Sequence, residues 1–343
     1  MNDELPDNLR PVADFFGLPG TAVVAKDFHV VRAIRALAML DAAPFTLVFG
    51  GGTALARAHR LVRRMSEDVD FKIVPRPPAA VSRSILRQQL GQLRDRVTAA
   101  LQATGFAFDP HDQANTRSRN ESRYTVWNLP YAGDSGAGEG LRPTIQIEMT
   151  YAPLRLASVM LPVSSFVAEA HSRPPEVAAM PCVSVTETAA EKLVALTHRI
   201  AMELAGLSRD PDPTLVRHIY DLHLMQRHID TGQVAALARD IAAADAKEFG
   251  NQHPAYAADI PGETRKALDA LQTDPAYRSR YGDFVTAMAY GERPEFDIAF
   301  GTVVALTEIA LADQLSGARA GTSHQKSCRA EMLARRKAAL DPA

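Results

Sequence analysis

The residues with most chemistry in them sit close together: Phe49-Gly-Gly-Gly-Thr-Ala-Leu55, a basic turn, then Arg64-Met-Ser-Glu-Asp-Val-Asp-Phe71. Asp68-Val-Asp-Phe-Lys-Ile-Val74 alternates as a strand does. Asp68 and Asp70 therefore leave the same face about 7 Å apart. Two carboxylates so placed can hold hard divalent cations, Mg²⁺ or Mn²⁺, and a site with two ions roughly 4 Å apart needs bridging oxygen ligands of this kind. The glycines permit a phosphate chain to approach backbone N–H groups, and a helix opening at Thr53 adds a field that favours anions. Gly51, Gly52 and Thr53 with the Asp-x-Asp strand read as one device, a cradle for a nucleoside triphosphate facing its metal.

Each part has a plainer meaning by itself. An Asp-x-Asp pair is commonly a solvated strand end, and three glycines are commonly a turn. The conjunction is different, because carboxylates on an otherwise apolar strand are costly unless something neutralises them. Octahedral oxygen ligation calls for a third acid on a neighbouring strand. Glu148 fits: in Thr144-Ile-Gln-Ile-Glu-Met-Thr150, Ile145 and Ile147 point one way and Gln146 and Glu148 the other. The alternative is an exposed strand acid.

The elements that must hold these groups can be read from periodicity. Residues 26–42 form an amphipathic helix, Val30, Val31, Ile34 and Leu37 on one face, and Thr46–Phe49 a buried strand. Thr53 caps a short helix through Arg60. A long helix runs from about Val81 to Thr104, and strands cover Arg123–Trp127 and Thr144–Thr150. The Gly- and Ser-rich stretch Ala132–Gly140 between them is a hairpin connection, since no lysine follows to make it a phosphate-binding loop. Beyond Val185 the pattern turns helical. Thr186 caps one helix, Pro213 opens the next, and others fall near 232–247, 262–272, 281–290 and 297–316. The organisation is α+β: a mixed α/β domain over 20–180, an all-helical domain over 181–316 and a basic, flexible tail over 317–343.

Composition narrows the function. The chain has 343 residues, enough to bury a full core, and is 46% hydrophobic and 23% charged. Lys and Arg total 38 against 40 Asp and Glu, which excludes a wholesale polyanion binder but not a local basic surface. Charge is uneven: residues 50–100 hold ten basic and four acidic side chains, residues 230–300 seven and twelve. Only Cys182 and Cys328 occur, without metal spacing, which fits a reducing cytoplasm and excludes a disulfide framework. The acidic, proline-bearing N-terminus is not a signal peptide, and no apolar run is long enough to span a membrane.

Gly51-Gly-Thr-Ala-Leu55, the following His59, and Arg64-x-Ser-Glu-Asp-x-Asp-Phe71 closely resemble the signature of the AbiEii/AbiGii-type nucleotidyl transferase toxins, within the DNA polymerase β-like nucleotidyltransferase superfamily. The resemblance runs over about 25–225. It takes in Glu187-Thr-Ala-Ala-Glu-Lys-Leu-Val-Ala-Leu196 with Arg199, and Arg217-His-Ile-Tyr-Asp-Leu222, where His218 replaces the first acid of the family helix. It implies a nucleotidyltransferase fold in front of a helical domain. It also implies catalytic roles for Asp68, Asp70, Lys192 and Asp221, with Lys192 offsetting triphosphate charge and Asp221 orienting the lysine or the acceptor. Against that role, Asp221 has the alternative of a buried pair with Arg217. Thr53 and Ser66 become phosphate or supporting groups and Arg64 a phosphate clamp. The implied reaction is NTP-dependent: Mg²⁺ held by Asp68, Asp70 and Glu148, in-line attack of an acceptor hydroxyl, and departure of pyrophosphate.

By the same resemblance the acceptor is the 3′ end of tRNA, often receiving pyrimidine nucleotides. A cognate antitoxin neutralises the enzyme, and the setting is cytoplasmic phage defence. Arg57, Arg60, Arg63, Arg64, Arg83 and Arg87, with Arg117, Arg119 and Arg123, are candidates to track RNA, and Tyr124 or Trp127 to stack bases, Trp127 more naturally packing the core. Two other readings stay open: transfer to a small molecule or a protein, and an idle nucleotidyltransferase fold acting as a binding module.

Overall fold

The computed structural model describes residues 5–76, 81–131, 141–208, 212 and 214–312. The 132–140 loop, Pro213, Cys328 and the basic tail lie outside them. The chain divides into two units: the first runs to Ala189 and includes Ala276–Phe296, and the second comprises Ala190–Pro275 and the chain from Asp297. Residues 276–296 thus belong with the front of the chain, from which they are separated in sequence.

The first unit is built on one seven-stranded mixed sheet. Its strands are β1 (Phe45–Gly50), β2 (Asp68–Pro75), β3 (Thr116–Arg119), β4 (Tyr124–Pro130), β5 (Thr144–Tyr151), β6 (Val159–Val163) and β7 (Val177–Cys182), in the order β3-β4-β5-β2-β1-β7-β6. The centre decides the rest. β2 pairs antiparallel with β1 and parallel with β5, and β4 runs antiparallel to β5. Along β2, Val69, Phe71 and Ile73 are buried, and along β5 so are Ile145, Ile147 and Met149. Period-two alternation sends these residues into one core and their neighbours out of the opposite face.

That core is closed by α2 (Thr21–Ala38) and α4 (Arg83–Ala103), which follow α1 (Arg10–Phe16) and α3 (Gly51–Arg57). Val30, Ile34 and Leu37 of α2 and Leu90, Leu93, Val97 and Leu101 of α4 join the strand residues in a single cluster. Ser82 caps α4 by accepting from the Ile85 N–H. The sequence placed the first long helix at 26–42; it starts at Thr21 and ends at Ala38, before the restraint that Pro44 puts on its approach. Trp127 is buried in the same cluster, its indole N–H donating to Thr98 Oγ1 at 3.0 Å, so its core alternative holds.

A charged knot ties more of this unit together. Arg57, 4% exposed, reaches Asp27 at 3.2 Å and the Tyr290 hydroxyl at 2.7 Å, and its guanidinium lies 3.6 Å over Phe166 of α5 (Phe166–Ala170). Asp27 also accepts from the Phe166 N–H, and burial, opposed by Arg57, raises its pKa to about 6. The segment 276–296 is joined here through Tyr290 and through Met65 N–H to Met288 O at 2.9 Å.

The helical residues beyond are α6 (Val185–Leu204), α7 (Arg217–Met225), α8 (Thr231–Phe249), α9 (Pro254–Ala258), α10 (Ile260–Thr273), α11 (Pro275–Met288) and a further helix over 296–312. Ser184, rather than Thr186, caps α6, its hydroxyl accepting from the Glu187 N–H at 3.1 Å. No helix among the described residues is long and apolar enough to cross a membrane.

Candidate active site

The alternation of β2 that buries Val69 and Phe71 puts Asp68, Asp70 and Lys72 on the outer face of the sheet. Parallel pairing sets Asp70 opposite Glu148 and Asp68 opposite Gln146, so the acids of two adjacent strands meet in register on one face. Asp68 and Glu148 are held by protein donors. Asp68 Oδ1 accepts from Arg142 Nη2 at 2.5 Å. Glu148 Oε2 accepts from the Tyr124 hydroxyl at 3.0 Å, and its other oxygen from Gln146 Nε2. Burial, then the charge of Glu148, raises the Tyr124 pKa, which keeps that phenol a donor.

The glycines sit against these acids. Gly50 opposes Asp70 across the β1–β2 ladder and takes the N-cap position of α3, and Gly51 takes φ +69°. A Cβ built on Gly51 would overlap the Asp70 carboxylate. One on Gly52 would lie 2.5 Å from an Arg64 guanidinium nitrogen and 2.8 Å from Ser66 Oγ. The cradle is therefore bare backbone because side chains already fill the space where a methyl would go. Thr53 is not the cap of α3, which opens at Gly50; its hydroxyl donates to the Asp68 carbonyl oxygen and so pins the helix to β2. Arg64 is 3% exposed, donates to Met65 O at 2.9 Å and stacks toward Phe284.

Behind Asp68 stands a charged network. Glu67 accepts from Lys26 Nζ and from the Arg142 N–H at 2.7 Å, and the Lys26 ammonium also reaches Arg142 O at 2.7 Å. Lys26 is wholly buried; desolvation lowers its pKa and Glu67 opposes the shift. At the other end of the β2 face Lys72 meets Glu187 at 2.7 Å. Glu187 is fully buried and accepts from the Leu156 N–H at 2.8 Å and the Arg155 N–H at 3.1 Å, so it holds the first turn of α6 to the loop after β5 and to β2.

In the second unit Lys192 and Asp221 form a buried ion pair at 2.8 Å, its side chains 8% and 0% exposed. Lys192 is thus a partner of Asp221, for which the sequence had offered a pair with Arg217 as the plainer alternative. His218 is buried beside them. Desolvation first, and the Lys192 charge second, push its pKa well below the ordinary value, so this imidazole is neutral. A second cationic group there would repel the lysine.

The donor set of the β2 face suits a hard cation: carboxylate oxygens with no soft ligand among them. Asp68, Asp70 and Glu148 share a face, yet among the described residues no three acidic, histidine or cysteine side chains converge as a ready cage. Arg142, Tyr124 and Gln146 engage two of the three acids instead.

The profile of the nucleotidyl transferase AbiEii toxin family, from type IV toxin–antitoxin systems, matches residues 34–304. The chain belongs to the AbiEii family. It is a nucleotidyltransferase toxin of a type IV toxin–antitoxin system, a family that implies an NTP substrate and an antitoxin partner. Among solved structures the chain is similar to MenT4, a nucleotidyltransferase toxin of Mycobacterium tuberculosis H37Rv, with a TM-score of 0.49, 17% identity, and 89% of this chain and 90% of that chain covered. No curated protein matches significantly.

For this AbiEii toxin the structure brings Gly51, Gly52, Thr53, Arg64, Ser66, Asp68, Asp70 and Glu148 together in the first unit, and pairs Lys192 with Asp221 in the second. Sequence reasoning missed Arg142, Glu67, Lys26 and the partners of Glu148. Arg142 follows a Gly- and Ser-rich run of sequence with no periodicity, and Lys26 lies on a helix face that hydrophobicity alone marks as core. Only the tertiary contact reveals either.

Proposed function

We propose that this toxin transfers a nucleotide from an NTP to the 3′ end of tRNA in a divalent-metal-dependent reaction in the cytoplasm, with Asp68 and Asp70 as the central catalytic acids. The observation that carries this reading is their shared face on β2, in register with Glu148 and against the bare backbone of Gly51. Asp68, Asp70 and Glu148 would hold Mg²⁺ or Mn²⁺, which supplies charge neutralisation at the triphosphate and acidifies the acceptor hydroxyl. Gly51 and Gly52 admit phosphate oxygens to backbone N–H groups, with Ser66 and Arg64 at the edge of the cradle. The acceptor oxygen bonds to the α-phosphorus as the bond to the pyrophosphate oxygen breaks. Lys192, paired with Asp221, is assigned to offset charge on the departing pyrophosphate, on its chemistry and its place in the family-like motif.

The tRNA reading draws support from an arginine-rich edge. Arg117 and Arg119 stand exposed on edge strand β3, Arg83 and Arg87 are exposed on α4, and Arg123 joins them beside Glu121, which pairs with Arg83 at 2.9 Å. Arg60 and Arg63 are also exposed, whereas Arg57 and Arg64, candidates in the sequence, are buried and leave this surface. Such a band fits a phosphate backbone.

The test is incubation with each labelled NTP, Mg²⁺, and either intact tRNA, tRNA oxidised at its 3′ diol, or bulk protein. Label on intact tRNA alone is the expected result. Label on oxidised tRNA or on protein would overturn the acceptor assignment.

A further inference from the structure

Arg142 has no role in any motif, yet its guanidinium pairs directly with a proposed catalytic acid. Its guanidinium donates to Asp68 Oδ1 at 2.5 Å and to Gln146 Oε1 at 2.7 Å, and its Nε stands 3.7 Å from Glu67 Oε2. Its side chain remains 41% exposed. The backbone beneath is fixed far more firmly: its N–H donates to Glu67, its carbonyl accepts from Lys26, and Lys26 and Glu67 are themselves paired.

An arginine that merely neutralised Asp68 would not need this foundation. A buried lysine is expensive to desolvate and is kept only where its partners compensate. Here the compensation converges on one backbone position, the one that carries a half-exposed guanidinium beside the acid pair. Arginine has five N–H donors in a rigid fork matched to phosphate, and the contacts to Asp68 and Gln146 occupy two.

We propose that Arg142 is the triphosphate clamp of this site, a guanidinium that bridges Asp68 and the phosphate chain of the incoming NTP, with Glu67 and Lys26 as the residues that position it. The inference deepens the nucleotidyltransferase reading and rests on it for the identity of the ligand, but its chemistry can be tested separately. The α4 cation Arg94, which pairs with the neighbouring Asp95, serves as a control.

Inorganic tripolyphosphate, which carries no base, is titrated into the purified full chain in EDTA buffer. Wild type and Arg94→Ala should bind equally, Arg142→Ala at least tenfold more weakly, and Arg142→Lys in between, because a point charge keeps attraction but loses the fork. In steady-state transfer, Arg142→Ala should raise KM for NTP about tenfold with kcat changed less than threefold, the mark of lost ground-state binding. Thermal melting confirms that each variant is folded. Three results would overturn the proposal: no tripolyphosphate binding by wild type, equal binding by folded Arg142→Ala, or a loss in kcat alone, which would make Arg142 only a positioning residue for Asp68. If binding falls as stated while wild type transfers no nucleotide to any acceptor, the clamp stands and the transfer reading falls. If transfer proceeds and binding does not change, only the clamp falls.

Discussion

Replacing Gly51 by alanine separates backbone strain from damage to the catalytic face. Gly51 adopts φ +69°, and a Cβ there would occupy the space of the Asp70 carboxylate. Gly17 adopts φ +65° with nothing within 4 Å of the same Cβ. Left-handed backbone costs a non-glycine residue about 1–2 kcal/mol, so Gly17→Ala should lose about that much. Gly51→Ala adds the expulsion of Asp70 from its position, about 0.5–1.5 kcal/mol if the side chain is driven off a rotamer. The total, about 1.5–3.5 kcal/mol, corresponds to a fall in Tm of about 3–14 °C for a unit of this size, against about 2–8 °C for Gly17→Ala. Activity should diverge far more, because misplacing a reacting group by about 1 Å costs about 100-fold. Differential scanning fluorimetry and nucleotide transfer on both variants make the comparison. Were Gly51→Ala to match Gly17→Ala in transfer, Asp70 would not be the group that the cradle positions.

Further expectations follow from the same contacts. Glu187→Ala removes the acceptor of two backbone N–H groups and the partner of Lys72, and should cost about 3–5 kcal/mol in urea unfolding, with Glu187→Gln costing less. Trp127→Phe should lose about 1 kcal/mol with its bond to Thr98 and leave RNA affinity unchanged; a drop in RNA binding would mean that the indole meets bases after all. His218 is neutral in the fold because burial lowers its pKa, so the unfolded chain takes up a proton first as pH falls. Its contribution is fully present above about pH 6.5 and is lost below that, by at most about 1.4 kcal/mol per pH unit. Unfolding at pH 7.5 and 5.5 should therefore show a steeper loss in wild type than in His218→Leu.

The legible part of this protein was whatever repeats along the chain. Val69, Phe71 and Ile73 announce which face of β2 is buried, and thereby where Asp68 and Asp70 point; Ile145 and Ile147 do the same for Glu148. Leu90, Leu93 and Val97 announce α4 in the same way. The illegible strands lack that rhythm. β6 (Val159–Val163) is an edge strand with Val159 and Met160 exposed and Pro162 within it, and β7 carries Pro181, so neither alternates cleanly. Helix starts were misplaced by two to five residues: α2 begins at Thr21 rather than 26, Thr53 bonds to Asp68 O while Gly50 takes the cap position of α3, and Ser184 caps where Thr186 was the candidate. Arginines read alike in sequence, but Arg57 and Arg64 are buried while Arg83 and Arg119 are not. Which charges reach solvent, and that Lys26 and Glu67 support Arg142 from 116 and 75 residues away along the chain, is tertiary information.

The central claim is that the outward carboxylates of β2 perform the chemistry. Asp70→Asn keeps the size of the side chain over Gly51 and removes its charge. Pyrophosphate release, followed for wild type and Asp70→Asn with NTP, Mg²⁺ and tRNA after matched thermal melts, tests it directly. The account predicts release by wild type and a fall of at least 100-fold in the variant. Equal release by the two proteins would contradict it.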